Sequence, residues 1–225
     1  MERARPRTES LREQALAIIR DAITAGELAE DRIYSAAGLA KQLGMSLSPV
    51  REAMMALVTE GTVEAVPNRG FRLVPVTEAD LEEIIRIRVL LAVPAVRRLC
   101  EAVVTEENIL AVDVGEALAR LREHAAETVA AADAGDVAEF YTHDRRFHEA
   151  LLEYGLGARA ADISLRLRDQ SRLFNVKAEI DRIAVDSARE LPVIVDLIEA
   201  GRADEVAELV TGNLYFFRRG EDVGH

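Results

Sequence analysis

The 225 residues carry 28 Lys and Arg against 40 Asp and Glu, a net charge of -12, with 49% hydrophobic and 30% charged residues. That length allows one large or two modest domains of ordinary globular composition, and no run of 18 apolar residues offers a transmembrane helix. The single cysteine, Cys100, excludes an intrachain disulfide and any paired-cysteine zinc site.

The acid is unevenly spread. Residues 1–75 hold ten basic and ten acidic residues, whereas 76–225 hold 18 and 30. A neutral first part can still present a basic face to a phosphate backbone, which the second part would repel. Residues 1–9 show no apolar period and read as an arm. No apolar stretch follows their basic residues, so no secretory signal is expected and the expected location is cytoplasmic.

Apolar residues at 11, 15, 16, 18, 19, 22 and 23 predict an amphipathic helix stopped by Gly26. Ser35 is placed to cap a second helix running to about Leu43. Gly44 breaks the chain, and a third helix starts near Ser46 or Ser48 and reaches Glu60, with Pro49 in its first turn. Val50, Ala53, Met54 and Leu57 form its inward face. The period then shortens: Val63 and Ala65, then Phe71 and Leu73, flank the turn formers Pro67, Asn68, Arg69 and Gly70, a hairpin signature. Three helices and a hairpin in about 65 residues is the order of a winged helix-turn-helix.

Pro75 to Thr77 reads as the junction, dividing 1–75 from 76–225. Beyond it the pattern is helical throughout. One helix is expected over about 78–101, bent or divided at Pro94. Another opens at Thr105 and ends near Gly135. A third covers about 136–154, closed by Gly155 and Gly157. Helices near 158–170, 176–200 and 203–218 follow. The fold class is thus mainly α: a winged helix-turn-helix followed by an all-helical bundle of six or seven helices.

In the third helix, Ser46, Leu47, Ser48, Arg51 and Glu52 stand at the outward, N-terminal end. Arg51 suits a bidentate contact to guanine or a phosphate pair, and the serines suit phosphates. Lys41 and Arg69 are flanking contacts, and Gly70 lets the wing backbone approach closely. The candidate DNA-binding set is Lys41, Ser46, Leu47, Ser48, Arg51, Asn68, Arg69 and Gly70. In the second part Arg88 lies among apolar neighbours and needs an anion or carboxylate partner. Asp144 and His148, four apart, share a helix face and make two of the three or more protein ligands that zinc wants. His124 and His143 do not share that face by spacing. No nucleophile–base pair stands out, so an enzyme is not the expected reading.

The stretch from Leu39 to Leu73 resembles the DNA-binding domain of the GntR family of bacterial regulators. Leu39, Ala40, Leu43, Gly44, Ser46, Pro49, Val50, Arg51, Glu52, Ala53, Leu57, Glu60, Gly61, Val63, Asn68, Arg69 and Gly70 match its pattern. Leu47 and Ala37 depart from it, each where the family usually has Arg. The second part resembles the all-helical FCD effector domain of the FadR-type branch, through Arg88, Leu91, Pro94, Arg98 and Leu99, through Asp144, Phe147 and His148, and through the turn Ala200–Arg202. The resemblance implies a homodimer on double-stranded operator DNA, with a small organic acid as effector held by Arg88, Asp144, His148 and Asn213. Metal-bearing members add two histidines to an Asp and a His. Those positions are Leu191 and Asn213 here, so no cofactor is expected and a divalent metal at Asp144 and His148 is doubtful. The expected function is a transcriptional regulator, a repressor by preference. The alternatives are a small-molecule enzyme in the bundle or a DNA-bound scaffold without an effector. No membrane partner is expected.

Overall fold

The computed structural model describes residues 10–24, 27–29, 32–105, 112–175 and 187–215, which divide into two compact units, the second beginning at Glu78. The expected arm at 1–9, the stop at Gly26 and the chain beyond Tyr215 lie outside the described residues. No described helix is long and apolar enough to cross a membrane.

In the first unit, α1 (Leu11–Thr24), α2 (Ala36–Gln42) and α3 (Leu47–Thr59) precede a two-stranded antiparallel sheet of β1 (Val63–Val66) and β2 (Gly70–Leu73). The Oγ of Ser35 accepts from the Gly38 amide at 3.0 Å and so caps α2. Ala15, Ile19 and Ile23 of α1 meet Val50, Ala53, Met54 and Leu57 of α3, with Val63 and Leu73 closing the core. Each buried large side chain contributes about 1.5–3 kcal/mol, and the 3.6-residue period makes all of them fall on one side of their helices. Across the strands Val63 faces Leu73 and Glu64 faces Arg72. Arg20 and Glu60 pair at 2.7 Å and fasten α1 to the end of α3.

Gly70 has a structural reason for being glycine. Its φ is +133°, and a Cβ there would lie 2.3 Å from the Tyr34 carbonyl oxygen. Tyr34 and Phe71 exchange both backbone hydrogen bonds, at 2.8 and 2.9 Å. The close approach that Gly70 permits is therefore to the chain leading into α2.

Among its described residues the second unit has six helices: α4 (Glu78–Thr105), α5 (Val114–Ala134), α6 (Val137–Leu156), α7 (Ala158–Asn175), α8 (Glu190–Glu199) and α9 (Ala203–Leu214). Three expectations are corrected. Pro94 does not divide the first of these helices, which runs unbroken for 28 residues. The lost hydrogen bond and ring clash of an interior proline cost about 3 kcal/mol. Here they are outweighed by a continuous buried stripe of Leu81, Ile84, Ile85, Ala92, Ala95, Val96, Leu99 and Ala102 on the same helix. Thr105 is the last residue of α4 rather than the opening of a helix; the next described helix, α5, starts at Val114 and is capped by Asp113, whose side chain accepts from the Glu116 amide. Gly155 lies inside α6 rather than closing it, and its lack of a side chain serves helix packing: a Cβ there would sit 2.6 Å from the Ala95 carbonyl oxygen of α4. The first half of the helix expected at 176–200 lies outside the described residues.

α4 packs on α6 and α9, α5 lies along α6, and α8 packs on α4, α5 and α9. Gly135, in the left-handed conformation, ends α5, and Asp136 at once caps α6 by accepting from the Glu139 amide. This two-residue reversal makes α5 and α6 a tight antiparallel hairpin.

Candidate functional site

In the first unit the polar residues at the start of α3 are left outside by the same periodicity that buries its apolar face. Ser46, Leu47, Ser48, Arg51 and Glu52 are exposed, and so are Lys41 on α2 and Asn68 and Arg69 at the hairpin tip; Gly70 is half-buried. Ser46 caps α3 without a side-chain hydrogen bond. Its hydroxyl and the free first-turn amides of Leu47 and Ser48 suit an anion such as a phosphate oxygen. Ser48 donates to Glu52 Oε1 at 3.0 Å, which occupies one of its bonds. The cations divide into two groups. Arg20 and Arg72 are neutralised by Glu60 and Glu64. Lys41, Arg51 and Arg69 have no ion-pair partner among the described residues. Arg12 and Arg32, also exposed, have none either; on the helix-turn-helix and hairpin the unneutralised charge is that of Lys41, Arg51 and Arg69.

In the second unit the polar residues are inside. Arg88 of α4 is 6% exposed. Its guanidinium is pushed down to about 10, first by burial and then by the like charge of Arg168, with Asp144 and Asp169 acting the other way. It stays charged at neutral pH, with no ion-pair partner within reach among the described residues and with Nε buried and lacking a hydrogen bond. Asp144 of α6 accepts from the buried guanidinium of Arg168 on α7. His148, one turn on, has Nε2 3.5 Å from the other Asp144 oxygen. Burial lowers the His148 pKa, against the pull of Asp144.

Arg88, Asp144 and His148 thus share one buried centre, completed by Arg168 and Asp169 of α7, which reading the sequence had not singled out. A signal for Arg168 exists. Ala161, Ser164, Leu165, Arg168 and Ser171 are all buried at helical spacing, so this arginine sits on the inward stripe of its helix. Asn213 is placed otherwise: its amide donates to the Ser187 carbonyl at 3.1 Å and to Glu190 Oε2 at 3.0 Å, tying α9 to the start of α8. Leu191 is fully buried and apolar. With Asp144 claimed by a guanidinium, Leu191 offering no donor and both Asn213 protons engaged, these positions do not fit a divalent ion.

Comparison with known proteins gives two family matches. The family described as bacterial regulatory proteins, gntR family, matches residues 11–73, and the FCD domain matches residues 83–215. An HTH-type transcriptional regulator of Agrobacterium vitis is 36% identical over 114 residues, covering 51% of this chain and 63% of that protein. The HTH-type transcriptional regulator McbR of Escherichia coli is 34% identical over 113 residues, covering 50% and 47%. The matches span between 47% and 63% of the length of these curated relatives. Among solved structures, E. coli McbR/YncC has a TM-score of 0.74 at 21% identity over 94% of this chain and 99% of that one. A GntR regulator from Rhodococcus has 0.71 at 21% identity over 96% and 100%. At that identity the likeness is one of fold.

Proposed function

The chain belongs to the GntR family of bacterial regulatory proteins and carries an FCD domain, and from that premise we propose that it is a DNA-binding transcriptional repressor, acting as a homodimer and released by a small organic acid. The observation that carries this reading is that Lys41, Arg51 and Arg69 stand exposed and unneutralised on the helix-turn-helix and wing while the apolar face of α3, Val50, Ala53, Met54 and Leu57, is locked into the core. In this reading α3 enters the major groove. Arg51 reads a guanine, Leu47 offers a methyl surface to thymine, and Ser46 and the first-turn amides hold a phosphate. The wing residues Asn68 and Arg69 flank the contact.

The acid occupies the buried centre of the FCD domain. Arg88 is a desolvated cation in want of a direct counter-charge, which a ligand carboxylate supplies. His148, kept neutral by burial, adds a hydrogen bond. Operator and acid then affect one another reciprocally through their different affinities for the two states of the dimer. The role is binding and not turnover, in keeping with relatives named as regulators.

The test captures genomic fragments on the purified full chain, sequences them, and titrates matched against scrambled duplexes with and without carboxylic acids. The expected result is a preference of roughly 10³-fold or more for a near-palindromic site, weakened by one class of acid in the parent chain but not in Arg88→Gln. Equal affinity for all duplexes would overturn the DNA reading, and an acid response that survives Arg88→Gln would overturn the effector site.

A further inference from the structure

The α5–α6 hairpin brings together two histidines that sequence spacing leaves far apart. His124 and Glu127 lie three apart on α5, and His143 faces them from α6. Glu127 Oε2 is 2.6 Å from His143 Nδ1 and 3.5 Å from His124 Nδ1. Both Nδ1 atoms are buried, and neither makes a hydrogen bond despite these distances. On the far side of the ring, His143 Nε2 lies 3.1 Å from Glu139 Oε2, one turn earlier on α6. A carboxylate accepting the proton at Nε2 leaves the lone pair on Nδ1, the atom turned toward Glu127 and His124. The ligand atoms of His124, Glu127 and His143 all lie within 4.8 Å of one another.

We infer that His124, Glu127 and His143 form a binding site for a zinc-class divalent metal ion that clamps α5 to α6. Two imidazole nitrogens and one carboxylate oxygen are a borderline donor set, suited to zinc and its transition-metal neighbours and poor for magnesium or calcium, which want oxygen alone. Tetrahedral zinc at 2.0–2.2 Å spaces its ligands roughly 3.4 Å apart. The side chain of Glu127 is 42% exposed and free to turn in to that spacing, while the histidines, at 19% and 14%, are held by the helices. With three protein ligands, water completes the sphere. Glu139 acts through His143 by fixing its tautomer. The site shares no residue with the centre around Asp144.

The test strips the full chain with a chelator and titrates it with zinc(II) alone by calorimetry. We expect one zinc per chain, a higher melting temperature on binding, loss of binding in His124→Gln and in His143→Gln, and retention in His148→Gln. Glu139→Gln, which leaves all three ligands, lowers zinc affinity roughly 10- to 100-fold without moving the zinc-free melting temperature. Histidine-ring NMR of the unaltered chain needs no variant to fold: zinc shifts the His124 and His143 rings and leaves His148 in place. Absence of binding, full affinity in both His124→Gln and His143→Gln, or a zinc response confined to His148 would overturn the site.

Discussion

The two units handle charge in opposite ways. The winged helix-turn-helix encloses an almost wholly apolar core and keeps the cations proposed to meet DNA, Arg51 and Arg69, in water. The FCD domain places Arg88, His148 and Arg168 at 4–8% exposure inside the bundle. A solvated arginine costs nothing while it waits for a phosphate. A desolvated one requires counter-charges and fixed neighbours at all times. In the first unit, therefore, the residues proposed to act and the residues that hold the fold are separate sets. In the second they are the same residues.

The largest expected effect presses on that contrast from the buried side. Asp144→Ala or Arg168→Ala strands a desolvated partner, and the full chain should lose about 3–5 kcal/mol in urea unfolding. The paired replacement Asp144→Leu with Arg168→Met should recover most of that loss, because it removes both charges and keeps apolar volume. The double variant should also lose its response to organic acids. A loss below about 1 kcal/mol in the single variants, the range of surface pairs, would show that water reaches the centre and that the contrast is overstated.

Arg51→Ala is the matching change on the exposed side. It should cost about 1–3 kcal/mol of discrimination between matched and scrambled duplexes, while unfolding stability stays within about 0.5 kcal/mol of the parent, as for an exposed residue touching nothing essential. Duplex titrations beside urea melts separate the two quantities. An unchanged ratio of affinities would remove Arg51 from base reading, and a large loss of stability would mean that the exposed set also holds the fold.

The same contrast explains what could be read from sequence. The start of α3, its buried stripe and the Pro67–Gly70 hairpin tip depend on neighbours within a few residues, and local periodicity and turn chemistry report them. The FCD domain was legible as helices, but not at its joints. Locally Pro94 reads as a bend or division and Gly155 as a stop, whereas α4 runs continuously through the first and the close packing of α4 on α6 requires the second. The buried centre was half legible. Asp144 and His148 are one turn apart on one helix, but Arg168 arrives from another, and only its place on the stripe from Ala161 to Ser171 hints at it. His124 and His143 gave no signal, since their convergence depends on the hairpin turn at Gly135 and Asp136.

The smallest effect is a pH dependence that only the buried unit should show. Burial lowers the pKa of His148, with Arg88 and Arg168 adding to the shift and Asp144 opposing it. In the unfolded chain this histidine titrates near about 6.5. Below that value the unfolded state takes up a proton that the folded state refuses until its own lower pKa is reached. Stability is thus fully present above about pH 6.5 and falls as the pH drops toward the folded value, by at most about 1.4 kcal/mol per pH unit for one proton. His148→Gln, which cannot titrate, should flatten this part of the curve. Urea melts of the parent and His148→Gln chains between about pH 7 and 5 check it through their difference, which cancels groups common to both. If the two chains lose stability in parallel, His148 is as protonatable in the fold as in water, and the centre cannot be as dry as its burial implies.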